Sequence, residues 1–231
     1  MLYREIFTKR HILLVAIHVD TPEQTQDNVQ IAEEEGADGV FLVNHSVDWK
    51  HMTEWYHEVR QKHPDFWIGL NYLDLRQLDA MIKMPRDASG LWVDDMGIRD
   101  DGKDTPNTIH LLRADWWVRH PERLHFGGVA FKYQSQIQDP AQAANNAVGK
   151  TDVITTSGEK TGSPPTVEKI VSIRQAIGDE YPLAVASGIS IENVRQFKPY
   201  VDCFIVASSI GRSFYDLNPS KVRSLTKIIH E

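Results

Sequence analysis

The chain reads as one (β/α)8 (TIM) barrel domain over residues 1–231, with a phosphate site at strands seven and eight. Three observations predict it. Short apolar runs alternate with helix-like segments, giving eight strand–helix units of about 29 residues each in a 231-residue chain. The runs are mostly unalternating, as expected of parallel strands buried on both faces. The last two runs each end in small residues, Ala186-Ser187-Gly188-Ile189-Ser190 and Ala207-Ser208-Ser209-Ile210-Gly211. Backbone N–H groups approach an anion closely at such a junction, and the loops after strands seven and eight are the usual phosphate site of this architecture.

The elements follow in order. Ile12–Val19 is the first strand, and Thr21-Pro22-Glu23-Gln24 then gives a capping box with proline at the first helical position. Gly36 closes that helix. Gly39–Val43 is the second strand, followed by a helix through Trp55 and Val59; Phe66–Leu70 is the third, followed by Leu75–Ile82. Gly90–Val93 is the fourth, and after it come the long loop Asp94–Thr108 and a helix at Ile109–Val118. Leu124–Phe131 is the fifth strand, with a helix starting at Asp139-Pro140. Val153–Thr155 is the sixth, with a helix over Pro165–Ile177. Pro182–Val185 and Val201–Val206 are the seventh and eighth. Asn218-Pro219 caps a closing helix whose Val222, Leu225, Ile228 and Ile229 form an apolar stripe.

Composition excludes several classes. The net charge of −7 and the absence of long basic runs give no drive toward nucleic acid or an anionic membrane surface. The single cysteine, Cys203, sits in an apolar run and makes neither a disulfide within the chain nor a cysteine-rich metal site. No apolar stretch near the start is long enough for a signal core or a membrane span, so the expected location is the cytoplasm.

Chemistry in such a barrel lies at the C-terminal ends of the strands. Those positions give a polar ring: His18 and Asp20, then Asn44, His45 and Ser46, then Asn71. Asp94 and Asp95, Lys132 with Tyr133, and Thr156-Ser157-Gly158 continue it. Lys132 ends a buried strand, where an ammonium binds an anionic substrate, stabilises an enolate or forms a Schiff base. The alternative is an ion pair with Asp94 or Asp95. Successive strand residues face opposite sides, so only one of those aspartates enters the mouth; Asp95 is read as that one, a proton-transfer partner for Lys132. His18, Asp20 and His45 together would suit a divalent metal, although a hydrogen-bonding role in a polar pocket is the favoured reading and no metal or other cofactor is required. Asp100-Asp101-Gly102-Lys103-Asp104 lacks the alternation of a calcium loop and reads as a solvated turn. The adjacent Trp116 and Trp117 suggest a subunit interface, hence a possible homo-oligomer.

Five segments occur in a telling order: Gly69-Leu70-Asn71, Val129-Ala130-Phe131-Lys132, Ser157-Gly158-Glu159-Lys160-Thr161-Gly162, Ser187-Gly188-Ile189-Ser190-Ile191-Glu192-Asn193 and Phe204-Ile205-Val206-Ala207-Ser208-Ser209. With them the chain resembles the BtpA family of TIM-barrel proteins, in the ribulose-phosphate-binding barrel group, over roughly residues 65 to 215. The resemblance is to a divergent member: the family's opening loop is replaced by His18-Val19-Asp20-Thr21-Pro22, with only the histidine kept, its Gly-Thr-Ser by Ala207-Ser208-Ser209, and the first Thr of its sixth-strand turn by Ser157. The resemblance implies Asn71, Lys132, Gly158, Thr161 and Gly188 as pocket residues. It leaves chemistry open, because the family includes proteins linked to photosystem I biogenesis as well as presumed enzymes.

The expectation is an enzyme acting on a small phosphorylated metabolite, a sugar phosphate or phosphoribosyl compound, by isomerase or lyase chemistry. Lys132, Asp95 and Asn71 are its catalytic candidates. His18, Asn44, His45, Gly158 and Thr161 are candidates for binding the substrate, and Ser187, Gly188, Ser208 and Ser209 for its phosphate. The alternative is a non-catalytic binding or assembly factor that keeps an anion pocket.

Overall fold

A computed structural model describes residues 2–103, 122–132, 134 and 137–231. Eight parallel strands close in sequence order, and the ring is sealed where β1 (Ile12–His18) pairs with β8 (Cys203–Val206). Between them run β2 (Gly39–Val43), β3 (Ile68–Asn71), β4 (Gly90–Val93), β5 (Leu124–Gly128), β6 (Val153–Thr156) and β7 (Leu183–Val185). Helices α2 (Pro22–Glu34), α3 (Trp49–Lys62) and α4 (Gln77–Lys83) follow the first three strands. Helices α5 (Pro140–Ala147), α6 (Val167–Ile177), α7 (Val194–Phe197) and α8 (Pro219–His230) follow β5 to β8. The helix expected at Ile109–Val118, with Trp116 and Trp117, lies outside the described residues, as do the end of the long loop and Tyr133.

Caps set the helix starts. Thr21, Asp139 and Asn218 each accept a backbone N–H from three residues on, and each is followed by proline, whose missing N–H is harmless there. In the first cap Gln24 reaches back to the N–H of Asp20, one residue before the cap itself.

Strand alternation sorts the core into two clusters. Leu13, Val15, Val40, Leu42 and Leu91 face the helices. Leu14, Phe41, Trp67, Trp92, Phe126 and Ile205 face the barrel axis. Phe41 lies 5.1 Å, ring to ring, from both Trp67 and Phe126, and glycines at the inward positions 69 and 90 make room for these rings. Below them, a helix the sequence did not announce, α1 (Leu2–Ile6), sets Tyr3 and Phe7 under Trp67 and closes the N-terminal end.

Strand ends differ from the sequence reading in one place that matters. The run Leu124–Phe131 looks like one strand, but pairing stops at Gly128. A side chain at Gly128 would meet the carbonyl of Asp94 at 1.9 Å, and Ala130 has a left-handed φ of 47°. The chain therefore turns, and Lys132 sits on the loop beyond β5. The other ends shift by one or two residues: β3, for instance, starts at Ile68 and takes in Asn71.

Candidate active site

A cavity of about 640 Å³ opens at the C-terminal ends of the strands. It sits against β7, β8 and β1 because the inward residues there are small: Ala16, Ala186 and Ala207. His18, His45, Asn71, Asp94 and Lys132 lie around the same cavity, each but Lys132 at an inward position continuing its strand.

Alternation corrects two residues of the sequence reading. Asp94, two places after inward Trp92, lines the cavity; Asp95 is exposed, pairs with Arg99 at 3.1 Å and accepts the N–H of Gly97. Inward Val43 likewise sends Asn44 outward. Its amide donates to Asp74 (2.6 Å) and the carbonyl of Val47, and its carbonyl accepts the N–H of Leu73, so it clasps two loops instead of lining the cavity.

Asp94 is held by Asn71, whose Nδ2 donates to its Oδ1 at 2.9 Å. Burial raises the Asp94 carboxyl above the usual range, and Asn71 and the charge of Lys132 oppose that only in part. Among the described residues, no carboxylate pairs with the Lys132 ammonium, which lies 5.3 Å from the Phe131 ring centre. The ion pair weighed for it with Asp94 or Asp95 is not formed. Its backbone N–H donates to Ser157 Oγ at 2.7 Å.

His18 stacks on Phe214, with ring centres 4.2 Å apart and planes within 4°, while His45 meets it edge-on at 4.6 Å. Burial, with His45 and Lys132 nearby, pushes His18 down to about 4; burial and Lys132 lower His45 too. Both rings are therefore neutral hydrogen-bonding groups at neutral pH. Asp20 is exposed, and among the described residues no group of three or more His, Cys, Asp or Glu is placed to hold a metal ion.

The small-residue loops are laced together. Ser187 Oγ accepts the N–H of Gly158 and donates to the carbonyl of Ser163, both at 2.8 Å. Ser209 Oγ donates to the carbonyl of Ile189 at 2.6 Å. Asn193 closes the β7 loop by donating to Gly188 and accepting from the N–H of Ser190. Gly188 has φ +63°, and a Cβ there would lie 2.1 Å from the nitrogen of Pro164. Gly158 is packed the same way against Ser163 and stands behind the wall, whereas Thr161 lines the cavity. Backbone N–H groups remain: those of Gly188, Ser208 and Ser209 have no acceptor among the described residues.

Four contributors escaped the sequence reading. Trp92 forms part of the cavity wall, Phe214 backs His18, and Asn193 shapes the β7 loop. The fourth is Lys169 on α6, which donates at 2.6 Å to the carbonyls of both Ala130 and Ser157 and is lowered to about 8 by burial. It ties down the two loops that flank Lys132. Only Asn193 had a sequence signal, the Ser-Gly-x-x-x-Glu-Asn spacing.

The BtpA family model matches residues 124–231, everything from β5 to α8. From β5 onward, the chain is similar to the BtpA family. Uncharacterized proteins of Thermococcus kodakarensis and Pyrococcus horikoshii are 28% identical over 132 residues and 24% identical over 127 residues. These matches cover 56% and 54% of this chain but 45% and 44% of the relatives, so the chain spans less than half their length. Among solved structures, phosphoribosyl anthranilate isomerase from Thermus thermophilus superposes with a TM-score of 0.65 at 12% identity, covering 94% of this chain and 96% of that one. The tryptophan synthase alpha chain from Legionella pneumophila gives 0.68 at 13% identity, covering 99% and 95%. Thiamine phosphate pyrophosphorylase from Pyrococcus furiosus gives 0.63 at 16% identity, covering 95% of each chain. At such identities the likeness is one of fold.

Proposed function

We propose that this BtpA-like barrel is an enzyme acting on a small phosphate ester, a sugar phosphate or phosphoribosyl compound, by isomerase or carbon–carbon lyase chemistry. The observation that carries it is the Lys132 ammonium, which shares its cavity with Asp94 and two neutral histidines and has no carboxylate partner among the described residues. A cation held in a cavity without a paired carboxylate suits an anionic or charge-developing ligand. The substrate phosphate lies against the N–H groups of Gly188, Ser208 and Ser209, with the Ser208 hydroxyl beside it. Ser187 and Ser209 serve by holding the loops in shape. Lys132 stabilises an enolate or forms an imine, Asp94 takes the proton-transfer role first read for Asp95, and Asn71 orients Asp94. The names of the fold neighbours, a phosphoribosyl anthranilate isomerase and a thiamine phosphate pyrophosphorylase, support the phosphate-ester class.

Pyridoxal 5′-phosphate tests the reading as a probe carrying both a phosphate and an aldehyde. The Lys132 amine adds to the aldehyde carbon and water leaves, and borohydride reduces the imine to a stable amine. Mass spectrometry is expected to find the adduct chiefly on Lys132, suppressed by inorganic phosphate and absent in Lys132→Ala. Labelling spread over the exposed lysines and indifferent to phosphate would count against it.

A further inference from the structure

A separate pocket of about 360 Å³ opens at the N-terminal end of the barrel, beneath the seam where β8 meets β1. Arg10 and His11 lead into β1 on one side of it, and Lys198 to Asp202 lead from α7 into β8 on the other. The N–H of Ile12 donates to the carbonyl of Asp202 at 2.9 Å and fixes the two sides together. The lining carries four cations, Arg4, Arg10, Arg174 and Lys198, against two carboxylates, Asp179 and Asp202. The whole chain carries −7, so a concavity with an excess of positive charge runs against its composition, and a concave wall concentrates that field.

Two of the cations are engaged. Buried Arg174 donates to Asp202 Oδ2 at 2.6 Å and to the carbonyls of Gly178, Tyr181 and Tyr200. Arg4 donates to the other oxygen of Asp202, which is thus neutralised with one positive charge to spare. The other two cations keep donors free. Arg10 is exposed, and its guanidinium has no partner among the described residues. Lys198 Nζ donates at 2.7 Å to the carbonyl of Ile228, using one of its three N–H groups, while nearby Glu231 pairs with Arg195. His11 stands within the field of both. Its Nδ1 lies 3.0 Å from the carbonyl of Val201; burial lowers its ring, and the charges of Lys198 and Arg10 lower it further. Asp179 is exposed and has no ion-pair partner among the described residues, so it is the one lining carboxylate that opposes an anion.

We propose that this pocket binds a multiply charged oxyanion of the diphosphate class, held by Arg10 and Lys198 across the β8–β1 seam. The two groups come from opposite sides of the seam, and the pocket is larger than one inorganic phosphate fills, so an anion with two charged ends suits it. Catalytic chemistry belongs to the other end of the barrel. The occupant here is therefore an effector or stabilising ligand that ties the start of β1 to the start of β8, and the inference stands apart from the phosphate-ester reading.

The experiment is a titration of inorganic pyrophosphate into the full chain at constant ionic strength, followed by NMR through the His11 ring signal. That signal is assigned by its absence in His11→Gln. It is expected to shift and to saturate. Arg10→Gln and Lys198→Gln should each weaken the affinity about fivefold, and Asp179→Asn should strengthen it about twofold. Arg10 and Asp179 are exposed, so those two variants keep the fold. Pyrophosphate bound only at the catalytic mouth would leave the His11 signal in place, and that result overturns the assignment. So does a drift without saturation, an affinity that neither Arg10→Gln nor Lys198→Gln lowers, or a weaker affinity in Asp179→Asn.

Discussion

His18 should make the protein acid-sensitive by a calculable amount. Its ring titrates at about 4 in the folded chain, against 6.5 for an unperturbed histidine. Between those values the unfolded chain binds a proton that the folded chain refuses. Nothing is lost above about pH 6.5, and the penalty grows as pH falls toward 4. At pH 5 it amounts to about 2 kcal/mol. Urea unfolding of the wild-type protein and of His18→Gln at pH 7.5 and pH 5 isolates this contribution. The substitution also removes the stacking on Phe214, but that loss is the same at both pH values. Other groups, His45 included, titrate in both proteins. The wild type should therefore lose about 2 kcal/mol more than the variant between the two conditions. Equal losses would show that burial and the charges of His45 and Lys132 do not hold the His18 ring neutral as described, and the case for a neutral imidazole in the site would go with it.

Gly188→Ala should destabilise the fold by at least about 2 kcal/mol in denaturant unfolding, since it adds left-handed strain to an overlap with the Pro164 backbone. A change below about 0.5 kcal/mol would mean that the β6 and β7 loops are not in contact. Lys169→Met should cost about 2 kcal/mol by taking the ammonium donor from the carbonyls of Ser157 and Ala130, the second of which keeps only the longer bond from Thr156, and should also abolish the selectivity of pyridoxal phosphate for Lys132. A stable, selectively labelled variant would separate Lys169 from the positioning of that loop.

The barrel was legible because buried parallel strands write themselves as apolar runs, and eight such runs at even spacing admit few other architectures. The same property hid the site's details. Val93 packs toward the helices and Trp92 toward the axis, yet both are large and apolar, so nothing in the sequence says which of Asp94 and Asp95 continues the inward face. Asn44 and His45 posed the same ambiguity. Ser187 and Ser209 looked like anion ligands because of their place in small-residue loops, but their hydroxyls go to carbonyls of neighbouring loops, a pairing no local pattern announces. Lys169 stands one place before Ile170 on an amphipathic helix and reads as a solvent-facing lysine; only the folded loops show it half-buried, with its ammonium turned onto two carbonyls. Phe214 is 47% exposed and has no periodic partner, so its stacking on His18 left no trace in the sequence.

The segment matched by the family model coincides with half a ring. Residues 124–231 supply β5 to β8, and this half acquires its neighbours only through the β4–β5 and β8–β1 seams. Alone it would present two raw strand edges, so it persists only as part of a closed circle. The cavity straddles the same divide. Its laced loops and Lys132 come from the matched half, whereas His18, His45, Asn71, Trp92 and Asp94 come from the other. The two halves can therefore change separately: a few inward positions on β1 to β4 reshape one wall of the cavity without disturbing the loops that β5 to β8 lace together on the other.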